Sequence, residues 1–365
     1  MKVDIKYFIS LISAAVNGSA PPEPPEDTDW RALYAFAKLH QVEALICSSI
    51  ERSEVSLPDG AAGLFEKAQL TAITHDQTQR GEAGKILESF EKNGIDCIPL
   101  KGLIMKTLYP APFLRSMCDL DIMFRPEDSE KVNETLTALG YTATSLGGNP
   151  ETYEKTGKFV EIEMHKALIR DKTDHFAKTW DRAAKREGYE HIYDMSREDF
   201  YIFMMAHLRK HYIGNGTGLR SVLDIFLYER KYGDSLDREY IENQFKLSGF
   251  GDFPEQIIRT ADIWFAGKPD DPELRDMQKH LLSSGAYGFN KFSRDEYISD
   301  KIREKGRAGY ILSLVFPSKD VMTDKYPFLK KLPFLIPVMW IFRWVSSLVL
   351  RAKNVISLLK KTSSL

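Results

Sequence analysis

The sequence predicts an α+β protein in which a small sheet is flanked by helical regions on its N- and C-terminal sides. Three observations carry that expectation. Apolar residues recur at three-to-four spacing through roughly the first 90 residues. Between about 95 and 168 the texture changes to short β-branched or alternating runs. From about residue 174 the helical spacing returns. The expected organisation is a helical region at 1–90, a core at 91–173, a second helical region at 174–324 and a basic, apolar tail at 325–365. At 365 residues the chain has room for roughly two or three domains of ~100–200 residues.

The opening "MKVDIKYFISLISAAVNGSA" has an apolar run, but Asp4 and Lys6 interrupt its start and its spacing suits an amphipathic helix better than a signal peptide. "PPEPPEDTD" (21–29) reads as an extended linker, since proline removes backbone donors. Thr28 or Asp29 is then placed to cap a helix through "WRALYAFAKLH". Two further helical stretches lead to Gly94, a plausible C-cap. "IDCIPLKG" (95–102) reads as a strand and turn, "LIMKTLYP" as a brief helix, and "CDLDIMF" as the next strand. "PEDSEKVNETLTALGY" has the acidic start and terminal glycine of a helix. In "KFVEIEMHKAL" (158–168), Val160, Ile162 and Met164 face one way, and Glu161, Glu163 and His165 the other. These segments make a strand–helix–strand–helix–strand module. Beyond it, Ser196 is placed to cap "REDFYIFMMAHLRKHY", and "GLRSVLDIFLYERKY" follows the glycine-rich "GNGTG" turn.

With 43% hydrophobic and 28% charged residues, the composition excludes disorder. A net charge of −2 gives no electrostatic footprint for long nucleic acids. Cys47, Cys97 and Cys118 form no close pair, which points to reduced thiols and a cytoplasmic location.

The chemistry concentrates in "DLDIMF" (119–124). Aspartate is a poor strand former, and an unpaired buried carboxylate is costly. On a strand, residues two apart share a face at about 6.6 Å separation along the chain. Asp119 and Asp121 therefore converge, while Leu120, Ile122 and Phe124 pack on the other side. Paired carboxylates repel unless a cation sits beside them, and Mg²⁺ (or Mn²⁺) prefers such oxygen donors. Glu161 and Glu163 offer a third acidic group from a neighbouring strand.

The blocks "PLKGLIMKTLYPAPFLRSMCDLDIMF", "EIEMHKAL" and "HLRKHYIGNGTGLRSVLDIFL" resemble a bacterial family of uncharacterised nucleotidyltransferases, the fifth such family, within the DNA polymerase β-like superfamily. The resemblance spans most of the chain from about residue 28. It implies a small mixed nucleotidyltransferase sheet, and Mg²⁺-dependent transfer of a nucleoside monophosphate from a nucleoside triphosphate to an acceptor, releasing pyrophosphate. The acceptor it implies is open: small molecule, glycan precursor, peptide, protein or tRNA. It also implies Asp119, Asp121 and Glu163 as metal-binding and catalytic carboxylates, with Glu161 in reserve. Lys101, Gly102, Arg115 and His165 would bind nucleotide, Gly102 by letting backbone approach phosphate. The wider superfamily has Gly-Ser at this turn where this chain has Lys101-Gly102, so a phosphate-gripping hydroxyl is missing. The rival reading is a catalytically decayed binding or scaffold protein on the same fold.

Other features have plainer readings beside functional ones. His207 and His211, four apart on one helix face, read as packing, a substrate-pocket contact or a metal pair. Asp224 reads as a structural partner of Arg220. From Lys325 to Leu365 there are eight Lys/Arg and no Asp/Glu, and 333–350 is nearly apolar, with Pro337 near its start and Arg343 within it. That tail reads as a buried helix or as a peripheral contact with the inner membrane surface.

Overall fold

Gly94 marks the switch from helix to strand. It adopts the left-handed conformation that glycine tolerates best (φ 63°) and closes the long helix before it. The computed structural model describes residues 3–53, 55–157, 160–169, 175–214 and 216–286, then 315, 316, 322, 329 and 332–342.

Four helices come first: α1 (Ile5–Asn17), α2 (Trp30–His40), α3 (Glu43–Ile50) and α4 (Asp59–Asn93). Asp4 and Asp29 cap α1 and α2 by accepting the Tyr7 and Ala32 backbone N–H bonds, so Asp29 rather than Thr28 is the cap. The sheet then assembles from β1 (Cys97–Pro99), α5 (Lys101–Lys106), β2 (Asp119–Phe124), α6 (Ser129–Ala138), β3 (Thr142–Ser145), β4 (Glu151–Glu154) and β5 (Glu161–His165). Its order is β1-β2-β5-β4-β3. β2 and β5 run parallel and the other neighbours antiparallel, so the sheet is mixed.

Two of these five strands were not legible as such. In the β3–β4 hairpin, β3 is largely exposed and polar, and Tyr153 of β4 is its one fully buried large apolar side chain. Without an alternating apolar face, the pattern carries little strand signal.

After the sheet come α7 (Thr179–Arg182) and a two-residue pair, β6 (Ala184–Lys185) with β7 (Tyr193–Asp194). Helices α8 (Arg197–Ile213), α9 (Leu219–Tyr232), α10 (Arg238–Leu247), α11 (Phe253–Phe265) and α12 (Arg275–Ser284) follow. Ser196 caps α8 as expected, through the Asp199 N–H. The turn between α8 and α9 needs glycine for packing: a Cβ on Gly218 would lie 2.6 Å from the Gly285 carbonyl.

The sheet separates two cores. Leu120, Ile122, Phe124, Ile162 and Met164 face Ile86 and Phe90 of α4 and Val132 and Leu136 of α6. On the opposite face Met123 joins a larger core built from α1, α3, α8, α9 and α11. The aspartates of β2 share that second face. α1 is tied to α11 there: Ser13 and Asn17 both donate to the Phe265 carbonyl, at 3.1 and 2.8 Å.

Residues 1–288 form one unit and 289–365 a second. Within the second, Met322, Leu329 and Ile336 pack together, while Phe334, Val338, Ile341 and Phe342 are exposed. Among the described residues no helix is long and apolar enough to cross a membrane. Most of the 325–365 tail, and with it the membrane-surface expectation, lies outside the described residues.

Candidate active site

Parallel pairing of β2 with β5 places the acidic residues side by side. Asp119 is opposite Glu161, Asp121 opposite Glu163, and Met123 opposite His165. Side chains in register on neighbouring strands share a face, so the carboxylates gather at one end of the sheet. His165 bridges two of them: its Nε2 lies 3.0 Å from Asp121 Oδ1 and 3.4 Å from Glu163 Oε2. Burial works against charge on this imidazole, but its hydrogen bonds to Asp121 and Glu163 outweigh burial and push its pKa up to about 9. Asp119 is pushed up to about 6, first by burial and then by the charges of Asp121 and Glu163.

Asp119, Asp121, Glu163 and His165 line a cavity of about 370 Å³ that basic side chains also line. Lys101 stands there at the start of α5, His207, Lys210 and His211 on α8, and Arg220 on α9. The two histidines approach to 3.3 Å through their Nε2 atoms, so one donates to the other. Burial, followed by the nearby Lys101 charge, pushes His207 well below the usual histidine range.

Arg115 and Gly102 line the same cavity, and each also has a structural contact that the sequence did not show. Arg115 is buried, and its Nε and one terminal nitrogen donate to the two carboxylate oxygens of Asp224, at 2.9 and 2.8 Å. Asp224 therefore pairs with Arg115, not with Arg220. A planar guanidinium delivered by the 110–118 loop makes the two-pronged contact that a carboxylate favours. Tyr109 also donates to Asp224, and Lys101 Nζ stands 3.6 Å from it. Arg220 instead donates to Gln41 and to Ser116. Gly102 is buried beneath Met117: a Cβ there would lie 2.4 Å from the Met117 sulfur.

Lys210 was not singled out from the sequence. The signal was present, since positions 207, 210 and 211 fall at i, i+3 and i+4 on one helix face.

The donor set fits a hard divalent cation. Asp121, Glu163 and His165 present ligand atoms within 4.8 Å of one another, and Asp119 adds a neighbouring carboxylate. Such an ion would relieve the repulsion that raises Asp119.

Two solved structures of the antibiotic-resistance factor ANT(2'')-Ia are similar to this chain. Its solution structure is 13% identical, with a TM-score of 0.37 over 47% of this chain and 92% of that one. The crystal structure in complex with adenylyl-2''-tobramycin is 12% identical, with a TM-score of 0.36 over 46% and 95%. No curated protein matches. The family model described as uncharacterised nucleotidyltransferase matches residues 26–266, more than half of the chain and all of the sheet, and the chain belongs to that family.

Proposed function

We propose that this protein transfers a nucleoside monophosphate from a nucleoside triphosphate to an acceptor hydroxyl, with Mg²⁺ or Mn²⁺ held by Asp119, Asp121 and Glu163. The observation that carries the reading is the gathering of these carboxylates by the pairing of β2 with β5, in a cavity that Lys101, Lys210 and Arg220 also line. When bound, a divalent ion offsets charge on the reacting phosphate and the leaving group. The chain's own residues supply the rest. The acceptor oxygen bonds to the α-phosphorus as the bond from that phosphorus to the pyrophosphate oxygen breaks. Glu163 takes the acceptor's proton. His165 orients Asp121 and Glu163 through its two contacts.

Calorimetry with ATP, CTP, GTP and UTP, with and without Mg²⁺, tests the site. At least one triphosphate should bind in a metal-dependent manner. The Asp119→Asn/Asp121→Asn double variant should lose that dependence while keeping its far-ultraviolet circular dichroism. Binding of no triphosphate, or equal binding by the double variant, overturns the assignment. Mass spectrometry of cell-extract acceptors incubated with the bound triphosphate would then look for the nucleotidylated product.

A further inference from the structure

We propose that the polyphosphate of the nucleotide is gripped by cationic side chains on the helices that line the cavity, Lys210 of α8 and Arg220 of α9 together with Lys101 at the start of α5, and not by backbone groups or a hydroxyl of the turn after β1. The inference rests on the nucleotidyl-transfer reading of the site and assigns a place to the part of the substrate that the carboxylates repel.

The turn is poorly built for an anion. Its residues Leu100, Lys101 and Gly102 offer no hydroxyl. The Met117 thioether fills the space beside Gly102, on the side where a glycine would otherwise admit a ligand. Helix α5 has six residues, too short to present a strong N-terminal field. Anion recognition must then come from side chains.

The cavity's charges are divided by element. Asp119, Asp121 and Glu163 stand on the sheet, and Lys101, Lys210 and Arg220 on the helices. A triphosphate carries several negative charges, and a divalent ion offsets two of them. The remainder requires cations beside the polyphosphate, and Lys101, Lys210 and Arg220 line the same cavity as the carboxylates. Both sets of charges line one cavity of about 370 Å³, so a polyphosphate bound there meets both. Lys101 and Lys210 both act on His207, which lines the cavity with them.

The cations are also held in suitable ways. One terminal nitrogen of Arg220 donates to Gln41 and to the carbonyl and hydroxyl of Ser116. Lys101 is steadied by Asp224 at 3.6 Å, beyond hydrogen-bond range, so charge holds the ammonium in place without a close donor–acceptor contact. By contrast, the buried Lys106 donates to Asp76 at 2.9 Å. Asp224 is already occupied by both Arg115 nitrogens and the Tyr109 hydroxyl. Lys210 is exposed near the end of α8, a long-stemmed point charge at the rim.

The test uses the full chain, calorimetry and two probes: inorganic tripolyphosphate and the triphosphate that binds in the preceding experiment. Lys210→Gln and Arg220→Gln should each weaken both probes by about tenfold, the loss of one charge-assisted contact. Each should weaken the matching nucleoside monophosphate by less than about threefold. Raising salt should erode the wild-type affinity for tripolyphosphate more than that of either variant. Because Arg220 also anchors Ser116 and Gln41, Arg220→Lys serves as the folded control and should recover part of the loss. In Asp119→Asn/Asp121→Asn, metal-free tripolyphosphate should bind at least as tightly as in wild type. If wild type binds a triphosphate with metal but the Lys210 and Arg220 variants match it on both probes, the assignment to these cations is wrong and the nucleotidyl-transfer reading stands. If wild type binds no polyphosphate, both fall.

Discussion

Glu161 and Glu163 stand two residues apart on the same face of β5, yet they border different cavities. Glu163 lines the one that holds Asp119, Asp121 and the basic side chains. Glu161 lines a neighbouring groove of about 680 Å³ with His75, Thr144 and Lys155. Glu163→Gln should therefore lower turnover by about 10²–10⁴-fold, the range for losing a positioned proton acceptor. Glu161→Gln should stay within a few-fold. Comparable losses in steady-state kinetics, or the reverse order, would reassign the role. At this scale the sequence was informative wherever a strand's period of two decides the face. Alternation put Asp119 with Asp121 and Glu163 with His165, and the family resemblance joined the two pairs, which lie on the paired strands β2 and β5. Asp224 and Arg115 could not be paired, because they lie 109 residues apart and local spacing offered Arg220 as the nearer candidate.

At the scale of elements, the packing of α5 on β2 turns on Gly102. Its missing side chain admits Met117 from the loop that leads into β2, and the Asp119 carbonyl lies 3.7 Å from where its Cβ would stand. Gly102→Ala should push Met117 aside and destabilise the protein by about 1–3 kcal/mol, the usual range for overpacking. Combining it with Met117→Ala should recover part of that loss, and a double-mutant cycle in urea would read the coupling. Strict additivity would mean that the two do not compete for space. From the sequence, this glycine read as a means of backbone approach to phosphate. Its packing role was hidden because Met117 becomes its neighbour only when the loop folds back. The helices were more legible: Asp29, Ser196 and Gly94 mark their ends through local hydrogen bonds or a local conformation, and these leave a trace in residue type.

Across the whole molecule, His40 joins three distant segments of the larger core. It is fully buried; its Nε2 is 3.0 Å from the Leu282 carbonyl and its Nδ1 accepts the Leu219 N–H at 3.4 Å. Those partners require the neutral ring with its proton on Nε2. Burial pushes its pKa down to about 4, against an ordinary value of 6.5. Between these values the unfolded chain binds a proton that the folded one refuses. Stability from this group is therefore complete above about pH 6.5 and falls on acidification by about 1.4 kcal/mol per pH unit until about pH 4. Urea midpoints should drop accordingly between pH 7 and 5, and His40→Gln should flatten that slope. An unchanged slope would locate the acid sensitivity in another group. The tie between α1 and α11 has a consequence during synthesis. Ser13 and Phe265 are separated by 252 residues, so α1 leaves the ribosome roughly 12 to 50 s before its anchor is made, at ~5–20 residues per second. For that interval its apolar stripe, including Phe8, Leu11 and Ile12, has no native cover from the far end of the chain. Until then the stripe is a segment that a chaperone could bind, and translation speed between residues 13 and 265 sets how long it stays on offer.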